Sequence, residues 1–272
     1  MYVANGYLGK IDSTYNEKAV ANAVRKITSV YDTYIKGTNA QVYFAIIPDK
    51  NYFLAEQHGY PVLDYEKLYE DMQTGLSYMT YIELRDLLTI EDYYRTDLHW
   101  KQENILDVAQ LLAQRMGMKL NKSYKTVTLD TSLNSIYYGT LPESFMTEKL
   151  SYLDHSLFDK CTVYDHQNER EIPIYDLTLA ESEVSYDMFL SGSISAITME
   201  NPKAKTNREL VIFRDSFGSS IAPLFLEGYK KVTVLDIRYL NENLIEQFVT
   251  FENQDVLFLY NTTVLNNRTS FR

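Results

Sequence analysis

The 272-residue sequence is poor in the residues that staple or punctuate a chain, with one Cys, six Pro and ten Gly. The lone Cys161 excludes an internal disulfide and a cysteine-based zinc site. Few Pro and Gly, with 23% charged and 45% hydrophobic residues, exclude a disordered chain and allow a sizeable core. No apolar run reaches the ~18–20 residues needed to cross a bilayer, and no signal-peptide pattern opens the chain. Positive charge is also short: the net charge is −11, a field that repels nucleic acid and anionic membrane surfaces. A neutral substrate fits such a field better. There is no GxGxxG and no GxxxxGK[ST], so dinucleotide and phosphate loops are missing. No cofactor is expected. Only four His are present, without an HxxxH or a second His–carboxylate cluster, so no metal site is expected either.

Tyrosine, by contrast, is abundant at 24 residues. Most of it reads as half-buried sheet surface, with some available to stack on sugar rings. Apolar spacing near 3.6 (Ala19, Ala23, Ile27, Val30, Tyr34) predicts a helix over 14–36. "QVYFAIIP" reads as a strand buried on both faces, and "DYEKLYEDMQTGL" as a helix capped by Asp64. "MTYIELRDLL" starts as a strand, and "KQENILDVAQLLAQRMG" is a helix closed by Gly117. Residues 118–190, with "SYKTVTLDTSLNSIYYG", "KCTVYDH" and "REIPIYDLTL", read as a β-rich insertion within a single domain spanning 1–272.

The C-terminal third alternates again. "RELVIF", "KKVTVLDI" and "DVLFLYN" are strands, with "SSIAPLFLEGY" and "NENLIEQFVTF" as helices between them. That order implies right-handed βαβ units and an α/β fold with a mostly parallel sheet. Ligands of such sheets bind at the carboxyl ends of strands, where 214–218, 236–239 and 260–261 should converge on one crevice.

Two stretches can carry chemistry there. "FRDSFG" places Ser216 past a buried strand at a helix entrance, where neighbouring N–H groups, that of Phe217 first, can stabilise an oxyanion. Asp215 or Ser216 equally suits a plain N-cap. In "YYRTDLHW", Asp97 and His99 are two apart and share a face if the segment is extended, so the carboxylate can orient the imidazole. A surface histidine before a helix is the plainer reading. His58, His155 and His166 have no acidic neighbour at that spacing; Asp154 and Asp165 are directly adjacent and would point to the opposite face. Both stretches fall at strand-to-helix junctions of one sheet, where a Ser–His–Asp triad can assemble.

At these residues the sequence resembles a known family. "YYRTDLHW" is similar to the "YYRTDHHW" signature of the DHHW proteins, themselves similar to SGNH-hydrolase-like domains of alginate O-acetylation proteins. "YDMFLSGSISAITMENP", the "DSF" block with its following "DIRY", "DVLFLYN" and "NGYLGK" match further family segments in order, across residues 2–262. The resemblance implies an SGNH-like three-layer α/β/α fold. It also implies Ser216 as nucleophile, His99 as general base and Asp97 as its orienter. The implied activity is acetyl transfer to, or acetyl hydrolysis from, an extracellular polysaccharide. The implied setting is extracytoplasmic, with membrane anchoring through a segment preceding Met1 and a membrane-bound O-acyltransferase as acetyl source. Leu98 departs from the signature and should face the core. Ser193 stands where SGNH enzymes use an Asn oxyanion donor, a loss that typically costs ~10²–10³ in rate. Tyr94, Trp100 and Tyr239 would form sugar-stacking walls, and Arg95 and Arg238 would bind hydroxyls. Two other readings compete: a non-catalytic polysaccharide-binding or scaffold protein, which the Ser193 substitution favours, and a cytosolic esterase of small molecules.

Overall fold

The computed structural model describes residues 1–137 and 148–271. The end of the strand-like stretch read over 123–139 lies outside them. The chain opens with a short hairpin, β1 (Tyr2–Ala4) and β2 (Tyr7–Gly9), then enters helix α1 (Glu17–Val30). Asn16 caps α1 by accepting the Ala19 N–H, and Val20, Ala23, Ile27 and Val30 form its buried stripe. The last turn of the predicted 14–36 helix widens to a π-turn over Tyr31–Ile35.

Strand β3 (Gln41–Ile47), a one-turn helix α2 (Lys50–Leu54), helix α3 (Tyr65–Gly75) and strand β4 (Thr80–Ile82) follow. Asp64 caps α3 as the sequence predicts, its carboxylate accepting the Lys67 N–H at 3.0 Å. A long loop leads to α4 (Leu106–Arg115), which Gly117 closes in the left-handed conformation at φ 73°.

The segment 118–190 bears strands, but they do not form one separate lobe. Strands β5 (Lys125–Ser132) and β6 (Lys149–Asp154) pair with each other, whereas β7 (Thr162–Asp165) and β8 (Arg170–Glu171) extend the central sheet. They reach it through β9 (Ala196–Glu200), whose free edge needs a partner for its N–H and C=O groups. The remaining elements are β10 (Glu209–Arg214), α5 (Phe217–Ile221), β11 (Lys231–Leu235), β12 (Asp255–Asn261) and α6 (Thr262–Leu265).

The eight-stranded sheet runs β4-β3-β12-β10-β11-β9-β7-β8. Its first five strands are parallel and the last three alternate antiparallel. Period-two alternation sends Val256 and Phe258 of β12 to the layer formed with α1 and α3, and Leu257 and Leu259 to the layer holding α4 and α5. The result is a three-layer α/β/α sandwich.

Two predicted helices are shorter than their patterns. α5 begins at Phe217, and Pro223, which lacks an N–H, turns the rest into a 3₁₀ stretch over Ala222–Glu227. Over 241–251 only a 3₁₀ stretch, Glu242–Gln247, forms; the following Phe248, Val249, Thr250 and Phe251 are poor helix formers.

Candidate active site

Three strand ends meet as expected. β10 ends at Arg214, and the next residue, Asp215, is wholly buried and accepts two backbone N–H bonds: Phe217 at 3.0 Å and Asn261 at 2.6 Å. Asn261 also donates its side-chain amide to the Ile47 carbonyl at 3.1 Å, tying in β3. This carboxylate sets the sharp turn on which Ser216 sits. A Cβ on Gly218 would lie 2.5 Å from Arg214 Cβ, so the turn closes this tightly only with glycine there.

Ser216 occupies the N-cap position of α5 but makes no side-chain cap bond. Its hydroxyl lies 2.7 Å from His99 Nε2 instead. Behind the ring, His99 Nδ1 is 2.6 Å from Asp97 Oδ1. That same oxygen accepts the His99 N–H at 3.0 Å, and Asp97 Oδ2 accepts the Ile136 N–H at 2.9 Å. Burial alone would raise the Asp97 carboxyl. The adjacent imidazole and the two N–H donors outweigh it and bring the group down to about 2, so the carboxylate is charged at neutral pH. Asp97 and His99 are buried, while Ser216 is half-buried.

The segment 93–100 is not the extended junction its spacing suggested. Tyr93 pairs with Trp100, and the Tyr94 N–H donates to the His99 carbonyl at 3.0 Å, folding the stretch into a hairpin-like loop. Asp97 and His99 share one side because the carboxylate closes a local turn. Outside bonds pin the loop. Lys50 Nζ donates to the Tyr94 and Arg95 carbonyls at 3.0 and 3.2 Å, and the Glu148 carboxylate accepts the Arg95 N–H at 2.8 Å and the Thr96 N–H at 3.2 Å. Burial pushes the Lys50 ammonium down to about 8, against the pull of Asp97 and Glu148.

The aromatic residues of the loop belong to the core rather than to a sugar-binding wall. Tyr94 and Trp100 are both 0% exposed. Trp100 Nε1 donates to the Phe217 carbonyl at 3.1 Å and Ser220 Oγ at 2.9 Å, joining the histidine loop to the serine turn. Leu98 is half-buried; it packs against the core, as expected, and also lines a cavity. That cavity, about 620 Å³, adjoins the triad through Leu98, Phe217 and Asn261, with Lys50, Arg238 and Tyr239 on its walls. The triad side chains themselves are not on its lining.

Of the remaining expected binding residues, Tyr239 is 64% exposed beside the cavity. Arg238 faces the cavity too, but its guanidinium is held in an ion pair by Asp236 at 2.8 and 2.6 Å. Arg95 is exposed, its guanidinium 5.9 Å from the Tyr7 ring, and does not line the cavity. Ser193 is likewise exposed and off the cavity wall. The Phe217 N–H, expected as an oxyanion donor, is engaged by Asp215, while the Phe217 ring lies 4.9 Å from His99.

Tyr186 opens the "YDMFLSGSISAITMENP" stretch, where nothing in the sequence assigns it a place beside His99. Its ring stacks on His99 at 3.8 Å with 4° between planes, and its hydroxyl donates to Ser220 Oγ at 2.7 Å. Asp187 follows it, half-buried, its carboxyl raised by burial and lowered by the nearby His99. Leu190, Ser191 and Gly192 then bend the chain through positive φ. Among the described residues no three His, Cys, Asp or Glu side chains group as metal ligands.

Sequence comparison finds no matching family model and no matching curated protein. Structural comparison does find relatives of the fold. PatB1 of Bacillus cereus is 20% identical with a TM-score of 0.76, the match covering 100% of this chain and 99% of that one. A DHHW family protein from Eubacterium siraeum is 19% identical with a TM-score of 0.71, covering 96% and 92%. The architecture is therefore the one the sequence motifs pointed to, shared with a DHHW protein over nearly its whole length.

Proposed function

We propose that the chain is a serine-dependent O-acetyltransferase or acetylesterase acting on an extracellular polysaccharide. One observation carries the reading: Ser216 Oγ, His99 and Asp97 form a continuous hydrogen-bonded line of 2.7 and 2.6 Å, anchored by a buried carboxylate. A serine hydroxyl is a poor nucleophile until a base takes its proton, and an oriented imidazole supplies that base.

In the first step Ser216 Oγ bonds to the acetyl carbon as its proton passes to His99 Nε2. The resulting imidazolium is stabilised by Asp97. The acetyl ester C–O bond then breaks, and the leaving oxygen takes the proton from His99. In the second step a sugar hydroxyl, or water, gives its proton to His99 and attacks the acetyl carbon; the bond from that carbon to Ser216 Oγ breaks, and His99 returns the proton to Oγ. The acetyl group and the polysaccharide acceptor come from the DHHW resemblance, as do an extracytoplasmic setting and a membrane-bound O-acyltransferase as donor. No helix among the described residues is long and apolar enough to cross a membrane.

The solved PatB1 of Bacillus cereus carries a sulfonyl adduct. Sulfonyl fluorides trap activated nucleophiles, so a reagent of this class tests the serine here. Wild-type protein should gain one sulfonyl group, mapped by mass spectrometry to Ser216, and should turn over p-nitrophenyl acetate. Ser216→Ala should lose both. Equal turnover by the two proteins would remove the serine mechanism. A scaffold reading gains from one observation: the Phe217 N–H, an expected oxyanion donor, is occupied by Asp215. Absence of both labelling and turnover in the wild type would favour it.

A further inference from the structure

A second recess lies at the other end of the sheet. It has a volume of about 510 Å³ and is lined by Lys119, Lys122, Lys160, Lys203 and Lys205, with Glu227 as the one carboxylate among the described residues. Among the described residues no arginine lines it. Five lysines gathered in one recess of a chain whose net charge is −11 run against the overall field. Among the described residues none of the five has an ion-pair partner; the paired lysines are Lys26, Lys36, Lys67, Lys101 and Lys149. Glu227 offsets only one of the five charges, and its carboxylate is held by the Asn121 N–H at 2.6 Å and the Lys122 N–H at 3.1 Å.

The wall is built rather than loose. Asn201, 2% exposed, accepts the Lys203 N–H at 2.9 Å, donates its side-chain amide to the Leu226 carbonyl at 2.7 Å and its own N–H to Lys230. Thr206 Oγ1 donates to the Gly228 carbonyl at 2.9 Å. At Gly228 a Cβ would meet Met118 Cγ at 2.5 Å, so the opposite wall approaches this closely only because that position has no side chain.

We propose that this recess binds the phosphate groups of an anionic polymer. Ammonium groups act as compact point charges that suit a tetrahedral phosphate from any side, whereas planar carboxylates are best met by the arginine fork missing here. Like charges lining one recess repel one another, and a multivalent anion relieves that repulsion. Several phosphates on one chain engage several lysines at once. A membrane surface is the weaker match: basic interfacial sites also insert apolar side chains, and none of the exposed large apolar residues lines this recess.

The recess precedes β10 and β11, while Ser216 follows β10, whose six residues span ~20 Å. It is therefore separate from the triad. That the bound polymer is also the acetylated one rests on the proposed function; the binding itself does not.

The test is titration of the full chain with sodium polyphosphate, sodium polygalacturonate, dextran and phosphatidylglycerol vesicles, at low and high salt. Polyphosphate should bind most tightly, weaken with salt and lose about ten-fold or more in affinity in Lys122→Gln/Lys203→Gln/Lys205→Gln. The triple variant should melt like wild type and hydrolyse p-nitrophenyl acetate at the wild-type rate. Ser216→Ala should bind polyphosphate unchanged, so a failure of the ester chemistry leaves this site standing. Unchanged affinity in the triple variant, or no polyphosphate binding by the wild type, would overturn the proposal. Polygalacturonate binding as tightly as polyphosphate would overturn the phosphate assignment, and vesicle binding through the same lysines would overturn the polymer.

Discussion

At the scale of single residues, the informative contact is the Tyr186 ring lying flat on His99 at 3.8 Å. In the proposed reaction the imidazole becomes a cation when it takes the Ser216 proton. A cation over an aromatic face gains about 0.5–2 kcal/mol, so removing the ring should cost about 2- to 30-fold in rate. Tyr186→Leu should therefore lower kcat for an acetyl ester in that range with little change in KM. Tyr186→Phe keeps the ring and loses only the bond to Ser220, and should recover most of the loss; failure of this rescue would make Tyr186 a packing residue only. Asp97 yields a second prediction. Its folded-state carboxyl titrates near 2, below the ordinary 3.8, so its contribution to stability is complete above about pH 4 and is lost as pH falls through about 2. The difference is worth on the order of 2 kcal/mol. Denaturant melts of wild type and Asp97→Asn across that window should show the acid loss of stability shrinking in the variant.

At the scale of elements, the loop 93–100 depends on groups far away in sequence. Glu148 accepts its Arg95 and Thr96 N–H groups, and Lys50 donates to its carbonyls. Glu148→Ala should cost about 1–3 kcal/mol in stability, seen in denaturant midpoints, and should lower kcat, because the loop carries both Asp97 and His99. The pairing of Asp97 with His99 was legible from their spacing, since a carboxylate two residues before a histidine reaches it in an extended strand or in a turn. Which of the two holds them was not legible, nor was the burial of Tyr94 and Trp100. An aromatic residue in a polar loop reads equally as wall or as core, and for Trp100 the choice is made by Ser220 and the Phe217 carbonyl, more than a hundred residues later. The strands of the parallel sheet were legible because continuous apolar runs bounded by turn residues have few other uses. The addition of β7 and β8 to its edge was not, because edge pairing depends on which backbone groups β9 leaves free.

At the scale of the whole molecule, the cavity beside the triad is closed by bringing the two ends of the described chain together. Leu8, Lys10 and Asn16 line one side, and Thr263, Asn266 and Arg268 the other. Asn266 is the clasp between them: its side chain accepts the Asn16 N–H at 2.8 Å and donates to the Thr14 carbonyl at 2.9 Å. Nothing in the local sequence marks this residue, since its partners lie about 250 positions away. Because Asn266 is 5% exposed, truncating it strands two backbone groups in a poorly hydrated place. Asn266→Ala should lower stability by about 1–3 kcal/mol, measured in denaturant. The proposed chemistry depends on Ser216, His99 and Asp97, none of which hydrogen-bonds the clasp, so turnover of p-nitrophenyl acetate should survive. A polysaccharide acceptor needs the walls of the cavity to position its hydroxyl, so its KM should rise. Loss of both activities in proportion would mean that the clasp supports the triad itself and that the two walls do not bind the polymer separately.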